Sequence, residues 1–116
     1  MNETVLIPTA LEASPEPPAR NAAVLRCCQA RQHSFELSLD KRRSTYETQQ
    51  YARQAYRDAM PDLAGYENIR DFIACTAHGM VIGAIEAMDA TKFLYAAQVA
   101  LGVLHHAPKT QKQPAV

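Results

Sequence analysis

The amino-acid sequence predicts an all-α protein, a small bundle of about four helices with disordered N- and C-terminal tails. Apolar residues recur at spacings of three and four between residues 19 and 106, and no segment alternates apolar and polar residues as a strand would. Hydrophobic residues make up 47% of the chain but aromatic residues only 7%, and Trp is absent. Alanine therefore supplies much of the apolar content, which indicates closely spaced helices.

The length of the chain, 116 residues, is enough for one domain with a single modest core. We expect that domain to span residues 19–106. Residues 1–18 contain four prolines and three glutamates, a composition that favours extended or disordered chain, and residues 107–116 form a polar tail. The N-terminal segment has neither a basic leader nor a long apolar stretch, so we expect no signal peptide.

Two helices are predicted in the first half of the domain. The first spans about residues 19–39 and carries a stripe at three-four spacing: Leu25, Cys28, Gln32, Phe35 and Leu39. The second begins after Ser44, whose spacing from Glu47 fits a capping box, and runs to about Met60. Its expected buried residues are Ala52, Ala55, Tyr56 and Ala59.

The third predicted helix, about Tyr66–Ala87, is the most apolar and the centre of the expected fold. Every fourth residue on one ridge is small: Cys75, Gly79, Gly83 and Ala87. We expect this ridge to be a groove for close helix packing, because two glycines inside a helix cost roughly 1 kcal/mol each relative to alanine. The apolar run is shorter than the roughly 20 residues of a membrane span, so no membrane partner is predicted.

A fourth helix is predicted over about Ala90–His105, with Asp89 as its N-cap. The short link to the third helix predicts that the two form an antiparallel pair. One face of the fourth helix is expected to pack inward: Phe93, Ala97, Ala100, Leu101 and Leu104. Its alanines are small enough to enter the predicted groove.

Charge is distributed unevenly although the formal net charge is zero. Residues 20–57 contain eight basic and three acidic residues, a net charge of +5, which leaves −5 for the rest. A candidate surface for nucleic acid or an acidic partner consists of six residues, with Tyr46 available for stacking: Lys41, Arg42, Arg43, Gln50, Arg53 and Arg57. The same pattern is also that of an ordinary solvated helix face.

Cys75 and His78 are three residues apart and are the candidates for metal binding or for nucleophilic catalysis. A zinc site would need further ligands from a set that is scattered along the chain: Cys27, Cys28, His33, His105 and His106. This spacing is not a zinc-finger signature, and a thiol within an apolar helix lacks an assured activating neighbour. We therefore predict buried, unreactive thiols, no catalytic or metal site and no cofactor.

The segment from Ala59 to Ile85, AMPDLAGYENIRDFIACTAHGMVIGAI, resembles a group of short bacterial proteins of unassigned function. They share a proline turn, GYENIRDFIAC and a GM-x-IGAI segment, and the stretches at Ala22–Ala30 and Tyr95–Leu101 fit the same group. The resemblance covers most of the predicted domain. It implies one recurring compact domain, and it implies no activity, cofactor or catalytic residue.

These observations predict a small non-enzymatic interaction or regulatory protein that binds a protein partner or itself, basic half against acidic half. The first alternative is a nucleic-acid-binding accessory protein that uses the basic region between residues 41 and 57. The second is a small cysteine- or metal-dependent enzyme. Three cysteines, two of them adjacent, do not form a disulfide framework, so a reducing cytoplasm is expected.

Overall fold

The computed structural model describes residues 20–112, and this part of the chain forms four helices and no strand. They are α1 (Ala22–Asp40), α2 (Thr45–Asp58), α3 (Tyr66–Val81) and α4 (Ala87–Lys112). The predicted all-α fold is confirmed. The tail expected over residues 1–18 lies outside the described residues, as do the last four residues of the chain.

α1 begins at Ala22 and is capped by Asn21. The Asn21 side-chain oxygen accepts hydrogen bonds from the backbone N–H groups of Ala23, at 2.8 Å, and Val24, at 3.2 Å. The same side chain donates to Asp71 Oδ1 of α3 at 2.8 Å. One residue therefore satisfies free donors of the helix terminus and joins α1 to α3.

The C-terminus of α1 closes with a Schellman motif. The Arg43 N–H bonds to the Ser38 carbonyl and the Arg42 N–H to the Leu39 carbonyl, which satisfies the last carbonyls of the helix. Arg42 has φ of 53°, in the left-handed region that usually favours glycine. The sequence Asp40–Arg43 thus forms the predicted connection, with one strained residue in it.

The capping box predicted for α2 is confirmed. Glu47 N–H donates to Ser44 Oγ, and Ser44 N–H donates to Glu47 Oε1, both at 3.1 Å. The helix ends at Asp58, two residues before the predicted end.

The predicted inward stripe of α1 is wrong at three of its five positions, whereas Cys28 is partly buried against the core. Leu39 is 79% exposed and Leu25 43% exposed, and Gln32 also faces solvent. The buried residues of α1 are smaller and lie on a different line: Ala23, Val24, Cys27, Ser34 and Ser38. α2 lies close to α1, and its own buried residues include Ala52. Small side chains on both helices allow this close approach, so the small residues of α1 are buried, whereas Leu25 and Leu39 are exposed.

α3 ends at Val81, six residues before its predicted end, and Gly83 lies in the following turn. Gly83 has φ of 77° and is exposed, and the Ala84 N–H bonds to the Gly79 carbonyl at 2.8 Å in a second Schellman motif. The prediction that Gly83 and Ala87 belong to a helix-packing ridge is therefore wrong. Ala87 is exposed at the first residue of α4.

Gly79 and Cys75 remain buried on α3, but their neighbours differ from those expected. A Cβ atom added to Gly79 would lie 2.7 Å from Ile85 Cδ1 and 2.9 Å from Tyr56 Cε1. The close contact at Gly79 is thus made with α2 and with the turn after α3. The alanines of α4 were expected to pack against Gly79. The atoms nearest to a Cβ at this position instead belong to Ile85 and Tyr56.

α4 starts at Ala87, so Asp89 lies in the first turn and is not the N-cap that was predicted. The helix continues to Lys112 and includes the first six residues of the segment expected to be a polar tail. Phe93 and Phe72 are in ring contact at 5.8 Å between centroids. Ala90 and Ala97 are fully buried, so the inward face of α4 lies against α3.

The four helices form two hairpins. α1 packs along α2, α3 packs along α4, and contacts between α1 and α3 join the two pairs. One core cluster contains buried residues from every helix and from the turn after α3: Ala23, Val24, Cys27, Tyr56, Cys75, Ala84, Ile85 and Ala90. From α4, Ala90 belongs to this cluster and Phe93 packs against it.

Candidate interaction surfaces

The first group of candidate residues, Lys41, Arg42 and Arg43, lies at the turn between α1 and α2. Lys41 and Arg42 are exposed. The Arg43 guanidinium stacks on the ring of Tyr51 at 3.7 Å from its centroid and donates to Ser38 Oγ at 3.0 Å. This contact occupies one face of the Tyr51 ring, whereas Tyr46, the ring predicted to be available for stacking on a nucleic acid, is 73% exposed.

The candidate arginines of α2 bond to neighbours in the same chain. Arg53 donates to the Gly83 carbonyl at 3.3 Å and lies 3.4 Å from Glu86 Oε2, which joins α2 to the turn before α4. Arg57 donates to Gln54 Oε1 at 2.9 Å. Gln50 is exposed and lines, with Arg57, a shallow depression of about 240 Å³. Gln50, Arg53 and Arg57 lie on one side of α2, but the Arg53 guanidinium already bonds to Gly83 and Glu86 of the same chain.

The second candidate site, around Cys75, is closed to solvent. Cys75 and Cys27 are both 0% exposed, and the Cys27 thiol donates to Cys75 Sγ at 3.7 Å. That bond, together with burial, raises the pKa of the Cys27 thiol. The Tyr56 hydroxyl donates to the Cys75 carbonyl at 2.6 Å, and burial raises the pKa of this phenol as well. Cys27, Tyr56 and Cys75 therefore form hydrogen bonds with one another inside the core.

The hydrogen-bond partner of the His78 side chain is Arg20. The His78 Nδ1 atom lies 3.1 Å from Nη1 of Arg20, so a neutral imidazole accepts a hydrogen bond from the guanidinium. Burial, then the positive charges of Arg20 and Arg31, lower the pKa of His78. Of the other candidate ligands, His105 makes an edge contact with the Tyr66 ring. Within residues 20–106, no three His, Cys, Asp or Glu side chains are grouped so that they could hold a metal ion.

A surface that the sequence reasoning missed lies on the side of α4 opposite α3. We call it the α4 outer face and define it by Met88, Lys92, Tyr95, Val99 and Gly102, with Val103 beside it. All of the side chains in this set are exposed: Met88 by 73%, Tyr95 by 68%, Val99 by 49% and Val103 by 62%, with Lys92 also in solvent. Gly102 leaves open space, because an added Cβ atom would meet nothing within 4 Å.

Two signals in the sequence could have revealed this face. Its five residues follow spacings of four, three, four and three, the repeat by which helices pair along a shared seam. In addition, residues 93–104 contain no charged side chain, so α4 is apolar or neutral on every side there. Such a helix is usually covered all round, and here α3 covers one side.

Comparisons of the chain with protein-family models, with curated proteins and with solved structures find no match. Within residues 20–112, none of the helices combines the length and the apolar character needed to cross a membrane.

Proposed function

We propose that this chain is a small non-enzymatic helical protein that acts by binding another protein chain through the α4 outer face. The observation that carries the proposal is the exposure of Met88, Tyr95, Val99 and Val103 on one side of a helix that is uncharged for twelve residues. Exposed apolar side chains that form a continuous strip commonly mark an interaction site, whereas isolated ones do not.

The thiol groups also support a non-enzymatic role. A nucleophilic cysteine needs access to its substrate as well as a lowered pKa. The hydrogen bond from Cys27 lowers the pKa of the Cys75 thiol, but Cys75 is 0% exposed, so a substrate has no path to it. His78, the base considered from the sequence, is engaged by Arg20 and not by a thiol. Close but unlinked thiols suit a reducing compartment, so we place the protein in the cytoplasm as part of the same proposal.

Photo-cross-linking in the native cells tests the proposal. A photoreactive amino acid replaces Tyr95 in one variant and Leu39 in a control, because Leu39 is 79% exposed but lies on α1. We expect protein adducts from position 95 that are absent from position 39. Equal labelling at the two positions, or none at either, would contradict a specific surface on α4.

The nucleic-acid alternative is favoured by one observation, the turn that presents Lys41 and Arg42 to solvent next to the Arg43–Tyr51 stack. Arg42 is held in a left-handed conformation there, and strained residues are more frequent at binding sites than elsewhere. This proposal predicts that the double variant Lys41→Ala, Arg42→Ala weakens binding to a labelled oligonucleotide. It also predicts a steep fall in affinity with salt, because counterions are released from phosphates.

A further inference from the structure

We infer that the partner of the α4 outer face is a second copy of this chain, with the two α4 helices antiparallel about a two-fold axis. This inference rests on the proposed function, because it names the occupant of the same surface. The arguments are the register of the face, its charge and its area.

Four residues of the face are symmetrical about residue 97: Lys92, Tyr95, Val99 and Gly102. When two antiparallel copies are centred there, Tyr95 of each chain lies level with Val99 of the other. Lys92 of each chain lies level with Gly102 of the other. A two-fold axis places the same patch on both subunits, so a face with this internal symmetry is complementary to itself.

The single charge on the face, Lys92, favours the antiparallel arrangement. In a parallel pair at equal register, the two Lys92 ammonium groups would meet at the seam and repel. In the antiparallel pair they are ten residues apart along the helix, about 15 Å. Each lysine stem instead faces Gly102 of the other copy, where the structure has open space.

The area of the face fits a modest dimer. From the exposed fractions of Met88, Tyr95, Val99 and Val103, roughly 500 Å² of side-chain surface is available in each copy. Two copies would therefore bury at most about 1,000 Å² of this surface, which is near the lower limit for a specific interface. We expect a dissociation constant on the order of micromolar, so that the dimer forms and dissociates with concentration.

Sedimentation velocity of the full chain over a concentration series tests the interface. The wild type should pass from monomer to dimer, and Tyr95→Glu should remain monomeric because it places two charges in an apolar seam. Leu39→Glu is the matched control, since it changes an equally exposed apolar residue on α1 and should dimerise like the wild type. Circular dichroism of each variant checks that the helices are retained.

The orientation is tested by Gly102→Glu and Gly102→Lys, which both replace glycine by a good helix former in open space. In the antiparallel dimer, a glutamate at position 102 faces Lys92 and a lysine repels it. We expect Gly102→Glu to dimerise roughly fivefold more tightly than Gly102→Lys at low salt, since two exposed ion pairs are involved. In a parallel dimer at equal register, like charges would meet in both variants and the difference would vanish.

Three results would overturn the inference: a wild type that stays monomeric at high concentration, a dimer that Tyr95→Glu leaves intact, or equal dimerisation of the two Gly102 variants. The cross-linking at position 95 separates this failure from that of the proposed function. Adducts with a different protein and none with a second copy would retain the function and remove the dimer. No adduct at position 95 would remove both.

Discussion

Gly79 and Gly83 are four residues apart in the sequence, but they have different physical roles. Gly79 is inside α3 and has almost no room for a side chain, because side-chain atoms of Ile85 and Tyr56 lie within 3 Å of the position that a Cβ atom would take. Gly83 is outside the helix and has room, but its φ of 77° disfavours a side chain. The first glycine is required by packing and the second by backbone conformation.

The close contact at Gly79 predicts that Gly79→Ala destabilises the protein. The added methyl group must displace the buried Tyr56 ring or the Ile85 side chain, and such overpacking typically costs about 1–3 kcal/mol. Gly102→Ala is the matched control, because it is also a helical glycine but its Cβ would meet nothing. It should raise the free energy of unfolding by about 0.5–1 kcal/mol through helix propensity.

Chemical denaturation at a protein concentration low enough to keep the chain monomeric measures both variants. Equal effects of Gly79→Ala and Gly102→Ala would show that the contact with Tyr56 and Ile85 relaxes without cost.

Arg42 and Gly83 occupy the left-handed position of the two Schellman motifs, so removing a side chain at one and adding a side chain at the other should change the free energy of unfolding in opposite directions. Arg42→Gly should stabilise the protein by about 0.5–1 kcal/mol, because relief of the left-handed conformation exceeds the entropy added to the unfolded chain. Gly83→Ala should destabilise it by a similar amount, since it introduces the same strain without a steric clash. The free energies of unfolding of the two variants give the test, and a shift of the same sign in both would contradict this account.

Between elements, polar contacts at the N-terminus of α1 position it on α3. Asn21 bonds to Asp71, and Arg20 bonds to His78, so two successive residues reach two positions on the same helix. The hydrogen bond from the Asn21 amide lowers the pKa of Asp71, and the Arg70 guanidinium lowers it further by a smaller amount. These contacts set the register of α1 against α3 next to Ala23 and Val24, which belong to the core cluster.

The Arg20–His78 contact predicts a loss of stability in mild acid. Burial and two arginines lower the pKa of His78, so the unfolded chain takes up this proton near pH 6.5 and the folded chain only at lower pH. The unfolded state therefore binds more protons in that window, and the free energy of unfolding falls as pH decreases from about 6.5 through the folded-state pKa. Above pH 6.5 this contribution is fully present.

Urea denaturation between pH 7.5 and 5 measures the effect against two variants. His78→Gln removes the titrating group and should flatten this part of the pH dependence. Arg20→Ala removes one repelling charge, raises the pKa of His78 towards its ordinary value, and should reduce the slope. Identical slopes in all three proteins would show that His78 does not carry the pH dependence.

At the scale of the whole molecule, α4 is the described helix with the most exposed apolar side chains. It packs mainly along α3, and five large apolar residues on its other sides are exposed: Met88, Leu94, Tyr95, Val99 and Val103. Its opposite side is the α4 outer face. The stability of α4 should therefore depend on what covers that face more than the stability of α1 or α2 does.

Hydrogen exchange with mass spectrometry should show this dependence. At low protein concentration, we expect amides in the segment Tyr95–Leu104 to exchange faster than those within α1. Raising the concentration should slow exchange in that segment and leave α2 unchanged, because dimerisation covers α4 alone. Concentration-independent exchange throughout the described helices would mean that α4 does not self-associate.

The sequence by itself determined the fold class, the number of helices and several of their ends. Those features depend on local interactions: the capping box at Ser44 and Glu47 forms within one turn, and the proline after Met60 cannot continue a helix. The inward face of α4 was also readable, because Phe93, Ala97 and Leu101 repeat at helical spacing. Buried thiols were expected from the apolar surroundings of Cys75.

Only the tertiary structure decided which small residues make close contacts and which apolar residues remain uncovered. Gly79 and Gly83 have the spacing of one helical ridge, and the sequence cannot show that the helix stops between them. Leu25 and Leu39 of α1 are exposed, and smaller residues of α1 are buried in their place, because α2 lies close to α1. Burial depends on the distance and orientation of neighbouring helices, which are properties of the whole chain. The spacing on α4 could have indicated a second apolar seam, but only the structure shows that this seam is exposed.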